Sequence, residues 1–553
     1  YVKVPWEEAH ALHAKALVNV AQTYSGEPGQ KFLLAQGYDP VMVERAEGAG
    51  TRTLKVRGGM PFLGALRLCG LYRFGNMLAL LDAKVRGVSA EGAKGGIGWD
   101  NYSWHTDTPP GHPMVCGEQT NEFDLFATEY ARLIIPWGMN WISTKMPDSH
   151  WLTEARMKGA HVVVVTVEYS STANKGDEVI VIRPGTDPAF ALGLAQVIIK
   201  ERLYDEAFVK QFTDLPVLVR MDTLAPLKAS EVFPGYADAE LKNFTKVVKP
   251  GEAIPPVPLQ DVQLIPAALR GEWGDAVVWD AKTRKPVALP RDYVGEWLGK
   301  RGVDPALTGT FEVTTTDGKK VQVRTVFDLT RELLDRSYNP DAVSKITWAP
   351  KEAIVGLARQ IAANREKTLI AVGMGPNQFF NQSLKDRAIF LVLALTRNLG
   401  FPGGNIGSYA GNYRLSMFNG MPQYFNEDPF NPQLDSQGPV KTRLYRTFES
   451  LHFLNYGDRV LREGTKLFTG KTHIPTPTKA MWLANTNSVV GNIKWHYDFV
   501  FNTLARVECL AVNEWWWSGS CEYADIVYGV DSWMEFKVPD MTASCTNPFL
   551  QVF

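Results

Sequence analysis

Short runs of β-branched and aliphatic residues recur along this chain. Each is followed by a turn rich in Gly, Asn, Asp or Ser and then by a helical pattern, which is the habit of a parallel sheet with crossover helices. Arg132–Pro136 runs into Trp137-Gly138-Met139-Asn140, and Val162–Val167 into Glu168-Tyr169-Ser170-Ser171-Thr172, with a helix predicted over Ser149–Lys158 between them. Val179–Ile182 leads to a turn in which Asp187 is placed to cap a helix, Pro188 needs no donor in the first turn, and the apolar face spans Phe190–Ile199. The same grammar returns at Leu369–Val372 with Gly373-Met374-Gly375-Pro376-Asn377, at Met481–Ala484 with Asn485-Thr486-Asn487, and at Cys509–Val512 with Asn513-Glu514-Trp515. The fold class expected is α/β, with two doubly wound lobes and no strict internal repeat.

Two stretches break the rhythm. Residues 246–324 are Pro-rich and then alternate, with an Asp317-Gly318 hairpin signal, and predict a small peripheral β insertion. Residues 426–478 carry Pro, Asp, Gly and mixed charge and predict a surface excursion.

Composition narrows the classes without choosing one. At 553 residues, 45% hydrophobic and 21% charged, with a formal net charge of -1, the chain suits packed domains and disfavours disorder or a nucleic-acid polycation. Its apolar run Ala388–Thr396 is bounded by arginines and falls well short of the ~20 residues that span a bilayer, so no transmembrane segment is expected. Five scattered cysteines without a C-x-x-C pair form neither a disulfide framework nor a complete thiolate metal site. The opening at Tyr1 and the close within the apolar run Phe549–Phe553 lead us to expect a fragment.

In open α/β sheets, ligands bind beyond the carboxyl ends of the strands, where backbone N–H groups meet anions. Five or six Gly/Asn-rich turns at that position point to a large phosphate-bearing ligand, although for each turn alone the conformational needs of a strand-to-helix turn are the better explanation. Residues 101–120 (NYSWHTDTPPGHPMVCGEQT) differ: they lack apolar periodicity and crowd metal-capable groups together. Asp107 precedes Thr108-Pro109-Pro110, which stiffens the backbone and suits a hard oxygen ligand; the alternative is an Asx-turn. Cys116 is a rival soft ligand or a small buried hydrophobe, and His105 and His112 lack the i, i+4 spacing of a zinc pair. Trp515-Trp516-Trp517 follows a strand, where core packing competes with walling off a flat heterocycle. Neither a G-x-S-x-G nor a Walker-type signature occurs.

Taken in order, WGMN, DSHWLTEARMKGA, VVVVTVEYSSTANKGDEVIVIRPGTDPAFALGLAQVII, GMGPNQFFNQSLKDRAIFLVLALTRNLGFPGGNIGSYAGNYR, MWLANTNSVVGN and VNEWWWSGSCEYADIVYGVDSW resemble the catalytic subunits of the dimethyl sulfoxide reductase family of molybdopterin oxidoreductases. Residues 101–120 resemble its aspartate-ligand branch, which includes membrane-associated nitrate reductases and nitrite oxidoreductases. Together with YSGEPGQKFLLAQGYDP and WGMNWISTKMPDSHWLTEARMKGA they are most similar to the nitrite oxidoreductase alpha subunits. One departure is evident: where related nitrate reductases follow G-x-G-x-N with His, this chain has Gln378 after Asn377.

The resemblance implies molybdenum bis(molybdopterin guanine dinucleotide), with Asp107 as the protein ligand to the metal. It implies interconversion of nitrite and nitrate by oxygen-atom transfer, with reduction of nitrate, chlorate, perchlorate or selenate as the alternative. A non-catalytic two-lobed nucleotide-binding protein is the reading from another class. Asn377 and Gln378 are the implied neutral donors to substrate oxygens. The turns with Gly138, Asn140, Glu168, Tyr169 and Asp187 would hold one guanine dinucleotide, and those with Gly373, Asn485, Asn487, Asn492 and Glu514 the other. The lobes would interleave, 1–128 plus 365–553 forming one and 129–364 the other. A [4Fe-4S] cluster whose ligands are absent here, an iron–sulfur beta subunit, a haem-bearing or membrane subunit, and a periplasmic or other extracytoplasmic location complete the expectation.

Overall fold

The computed structural model describes residues 1–57, 65–99, 111–116, 123, 125–238, 274–290, 297–379, 381–407, 428–431, 443, 445–446, 457–467, 469, 474–484, 486–491, 493, 496–532, 535, 541–543 and 550–552. It divides into two compact units: Tyr1–Pro110 with Glu118–Glu122 and Ser408–Phe553, and Gly111–Gly117 with Phe123–Gly407. Asp107, Asn485 and Asn492 lie outside the described residues, as do His105 and most of the stretches 246–273 and 408–456.

The central unit is built on a five-stranded, all-parallel sheet in the spatial order Asn405–Gly407, Thr368–Val372, Leu133–Trp137, His161–Thr166, Glu178–Val181. Chain order runs outward from Leu133–Trp137 in one direction, then returns through Thr368–Val372 in the other. That reversal is a topological switch point, the position at which doubly wound sheets bind ligands. Each strand is a short β-branched run because both faces are covered: the helices Asp187–Lys200, Lys351–Ala363 and Gln382–Leu395 contribute Phe190, Leu194, Ile198, Leu357, Ile361, Ile389, Phe390 and Leu393 to one core. Burying a side chain such as Phe390 stabilises the fold by about 1.5–3 kcal/mol.

Two expectations shift here. Thr368–Val372 pairs along its whole length with Leu133–Trp137, so residues 365–407 belong with the central block and the division falls at Gly407 rather than at Asn364. Asp187 opens its helix at the first helical position and does not cap it; Thr186 is the capping residue, and the Asp187 carboxylate is turned into the core instead. The expected β insertion is present in residues 276–325: hairpin Ala276–Asp280/Lys285–Leu289, and Thr310–Thr314/Lys320–Thr325 paired with Leu218–Arg220. The Asp317-Gly318 turn closes it, with Gly318 at φ 83°.

The terminal unit holds a six-stranded parallel sheet in the order Tyr445–Arg446, Ile97–Trp99, Leu54–Arg57, Ala480–Ala484, Cys509–Glu514, Ile526–Gly529. Numbered along the chain this is 3-2-1-4-5-6, with its switch point between Leu54–Arg57 and Ala480–Ala484. The excursion expected over 426–478 is in part structural. Tyr445–Arg446 adds the edge strand, and Asp458, Ile474, Thr476 and Thr478 are buried, because Asp458 accepts the Thr478 N–H (3.0 Å) and the Thr503 hydroxyl (3.0 Å). Among the described residues no helix is long and apolar enough to cross a membrane.

Candidate functional site

Because every strand of the five-stranded sheet points the same way, all its carboxyl ends lie along one edge. Gly138 and Asn140 follow Leu133–Trp137 there, Glu168 and Tyr169 follow His161–Thr166, and Gly373, Asn377 and Gln378 follow Thr368–Val372. Asp187 starts the helix that follows Glu178–Val181. This edge therefore gathers eight of the expected residues. Gly373 was expected with Asn487 and Glu514; strand pairing sets it beside Gly138 instead.

The two glycines are demanded by this edge itself. A Cβ on Gly373 would stand 2.2 Å from the Gly138 carbonyl oxygen, and one on Gly138, at φ 58°, 2.2 Å from Pro376. Asn140 Oδ1 accepts the Thr172 hydroxyl (3.0 Å) and the Ser171 hydroxyl (2.9 Å), tying two ligand-edge loops together. Glu168 and Tyr169 are exposed, Tyr169 by 71%. Asp187 is buried, and the Trp137 indole donates to Oδ1 at 2.8 Å; burial raises its carboxyl above the usual range, opposed by that hydrogen bond and the charge of Lys385.

Asn377 is fully buried in a one-turn 3-10 helix, Gly375–Gln378. Lys385 Nζ donates to Asn377 Oδ1 at 2.6 Å and stands 2.6 Å from Asp386 Oδ1. The other Asp386 oxygen accepts the Gly111 N–H at 3.1 Å, at the start of the short helix Gly111–Cys116 that follows Asp107 in sequence. His112 Nε2 lies 3.8 Å from Asp386, and its ring packs edge-on against Phe390. Burial, then the Lys385 charge, lower His112 to about 3, so it is neutral; burial raises Asp386. The reading of residues 101–120 set His112 aside as a zinc ligand and did not foresee this cluster. The signal was present in Lys385-Asp386-Arg387, three consecutive charges in the first turns of a helix, Gln382–Leu395, that is apolar from Ala388 onward, two of them buried.

In the terminal unit the corresponding edge carries Asn487 after Ala480–Ala484 and Glu514 at the end of Cys509–Glu514. Asn487 Oδ1 accepts the Ser520 N–H (2.9 Å) and hydroxyl (2.7 Å), and Ser520 in turn accepts the Val489 N–H. Trp515, Trp516 and Trp517 are 38%, 69% and 50% exposed, so core packing is not their role. Arg57, fully buried at the carboxyl end of Leu54–Arg57, is a cation at the switch point that the turn pattern alone did not single out.

The two edges share a chemistry. Acidic side chains, loop hydroxyls, exposed aromatic rings and a buried guanidinium stand at the switch points of doubly wound sheets, a donor and acceptor set that fits a ligand bearing purine-like N–H groups and phosphates. Among the described residues no group of three or more His, Cys, Asp or Glu side chains could hold a metal ion by itself. Fold and site thus define an α/β protein of two doubly wound parallel sheets, each with a ligand edge at its switch point.

Comparison with known proteins makes the assignment specific. Residues 94–539 match the family model described as molybdopterin oxidoreductase, and the chain belongs to that family. It is an oxidoreductase family with a molybdenum–molybdopterin cofactor. The chain is 33% identical over 325 residues to the perchlorate reductase subunit alpha of Dechloromonas aromatica, covering 58% of this chain and 33% of that one. It is 34% identical over 326 residues to the respiratory nitrate reductase subunit alpha of Haloferax mediterranei (59% and 30%). It is 26% identical over 412 residues to the respiratory nitrate reductase 1 alpha chain of Escherichia coli (63% and 32%). The chain spans about a third of the length of these curated relatives. Among solved structures it is similar to acetylene hydratase from Pelobacter acetylenicus, with 15% identity and a TM-score of 0.46 over 99% of this chain and 55% of that one.

Proposed function

We propose that this chain is the cofactor-binding part of a molybdenum enzyme that moves an oxygen atom between nitrite and nitrate, working as a nitrite oxidoreductase. The observation that carries the reading is the presence of two doubly wound parallel sheets, each with its own switch point, in a chain of the molybdopterin oxidoreductase family: one switch point suits each arm of a bis(molybdopterin guanine dinucleotide). Glu168, Tyr169 and Asp187 at one edge, and Asn487, Glu514 and Arg57 at the other, are the residues assigned to those arms. Carboxylates suit guanine N–H donors, and main-chain N–H groups with a cation suit diphosphates. Asp107 is the proposed protein ligand to the metal.

Bound, the cofactor supplies the two-electron oxygen exchange. The chain supplies position. Asn377 and Gln378 present neutral groups to the oxyanion, because a cation in direct contact would hold the anionic product as firmly as the transition state. The relatives named above are alpha subunits of nitrate and perchlorate reductases, so reduction of nitrate or a chlorine oxyanion by the same site is the second reading. A [4Fe-4S] cluster, an iron–sulfur beta subunit, a haem-bearing or membrane subunit and an extracytoplasmic location belong to the proposal for the whole protein.

The test is to produce the whole protein with its iron–sulfur partner, then measure molybdenum and guanine nucleotide together with nitrite-dependent reduction of an artificial acceptor. Two guanine nucleotides per molybdenum and turnover with nitrite are expected. Turnover with nitrate or chlorate and a reduced dye, without nitrite oxidation, selects the reductase; guanine nucleotide without molybdenum selects a non-catalytic binding protein.

A further inference from the structure

We propose that a groove at the amino ends of Cys509–Glu514 and Ile526–Gly529 is a binding site for a small organic cation, a protonated amine or guanidinium carried on an apolar body. The groove encloses about 400 Å³, and its walls include Val500, Phe501, Leu504 and Leu510 together with Tyr523 and Asp525. That volume falls in the range of small-molecule sites, roughly 300–1,000 Å³. Leu510 lies near the start of its strand and Asp525 immediately precedes the next, so the groove is at the opposite end of these strands from Glu514. The inference therefore stands apart from the oxygen-transfer reading.

The lining decides the sign of the ligand. No Lys, Arg or His faces the groove, and Asp525 is its one charged wall. Leu510 holds that carboxylate in place: the Asp525 N–H donates to the Leu510 carbonyl at 2.8 Å, and Asp525 Oδ2 accepts the Leu510 N–H at 2.8 Å. Among the described residues Asp525 pairs with no cation. An anion would be repelled here, and a neutral apolar molecule would strip water from the carboxylate without replacing its hydrogen bonds. A cation on an apolar body satisfies both the carboxylate and the aliphatic wall. The aromatic rings suit it as well. Phe501 and Tyr523 are 62% and 40% exposed, and an ammonium or guanidinium over such a ring is attracted to its face. Both rings are braced from outside the groove: Tyr497 packs on Phe501 with centroids 4.6 Å apart, and the Tyr523 hydroxyl lies 3.3 Å from His496 Nε2. Phe501 belongs to a π-helical turn, Phe499–Thr503, a rare form that recurs at functional sites. A carboxylate and rings held in advance lower the ordering cost of binding.

The test titrates the whole protein at neutral pH with three probes of similar size, phenethylammonium, phenethyl alcohol and phenylacetate, followed by saturation-transfer NMR. Expected is saturable binding of the ammonium about tenfold tighter than that of the alcohol, the scale of an exposed ion pair with a cation–π contact, and no binding of the carboxylate. Asp525→Asn, which keeps an acceptor for the Leu510 N–H, should reduce the preference for the ammonium to less than about twofold and leave the alcohol unchanged. Should that variant not fold, Phe501→Ala, at an exposed side chain, carries the test: it should weaken the ammonium about threefold or more, and the alcohol less. Equal binding of the three probes, no saturable binding of the ammonium, or a preference that survives Asp525→Asn overturns the proposal. So does ammonium binding that emerges only once a partner subunit is stripped away, which would make the groove a subunit contact. Because none of these readouts uses molybdenum or turnover, a failure here leaves the oxygen-transfer reading standing, and the reverse also holds.

Discussion

The two parallel sheets share a winding but differ in where they bury charge: the terminal unit buries it at both ends of its strands, with Arg57 at the carboxyl end, whereas the central unit groups Asp187, Lys385 and Asp386 at the carboxyl end. In the terminal unit the ion network sits at the amino end of the strands: Lys55 donates to the Thr476 carbonyl (2.9 Å), Asp458 accepts from Thr478 and Thr503, and Lys479 donates to the Arg506 carbonyl (3.0 Å) and lies over the rings of Tyr24 and Tyr38. In the central unit it sits at the carboxyl end, in Asp187, Asn377, Lys385 and Asp386. Since ligands enter doubly wound sheets at the carboxyl edge, the amino-end network of the terminal unit lies away from the proposed site, whereas Arg57 and the central-unit cluster lie at the proposed edges. Buried charge alone therefore does not mark a proposed ligand edge; the end of the strand it occupies is what sets the two cases apart.

The largest effect expected from this contrast is on folding. Asp458→Ala removes the acceptor of two buried hydrogen bonds, stranding the Thr478 N–H and the Thr503 hydroxyl, and should cost about 2–4 kcal/mol in denaturant unfolding, with molybdenum per folded chain unchanged. A folded variant of normal stability and impaired turnover would erase the distinction. Asp187→Ala comes next. It strands the Trp137 indole N–H, costing about 1–3 kcal/mol, and lowers cofactor occupancy as well; full molybdenum content in that variant would remove Asp187 from the site.

The smallest effect is in pH dependence. His112 in the central unit is lowered to about 3 and His13 in the terminal unit to about 4, each by burial. Both bind fewer protons folded than unfolded, so the stability they contribute is complete above about pH 6.5 and is lost as pH falls toward those values. The buried acids Asp187, Asp386 and Asp458, raised by burial, act in the reverse sense, their destabilisation growing as pH rises past the ordinary carboxylate range. His112→Gln should flatten the acid limb of the melting-temperature profile for the central unit and leave that of the terminal unit, which His13→Gln should flatten in turn. A single limb abolished by either substitution would show that the units do not unfold separately.

Much of the fold was written in local pattern. The strands at 133–137, 161–166, 178–181, 368–372, 480–484 and 509–514, the helices at 149–157 and 187–200, and the Asp317-Gly318 hairpin each announce themselves, since β-branched runs, periodic apolar faces and turn residues act over a few positions. The turns that end those strands were equally legible. What local pattern misassigned was partnership. Gly373 was grouped with the wrong sheet, Asp187 was given the role of a cap, and residues 445–446 and 458–478 were left on the surface, although one supplies an edge strand and the other a buried carboxylate.

The reason is that a strand's sequence encodes its own extension and burial, whereas its neighbour is fixed by which crossover returns to which side of the sheet. Composition and spacing thus determined the elements, the fold class and the family motifs of this protein. Only the three-dimensional arrangement decided that Thr368–Val372 lies against Leu133–Trp137, and so brought Lys385, eight residues beyond Asn377 and on a different element, back into contact with its amide. Contacts of that kind depend on packing two helices and a turn onto one sheet edge, a condition that no stretch of the chain expresses by itself.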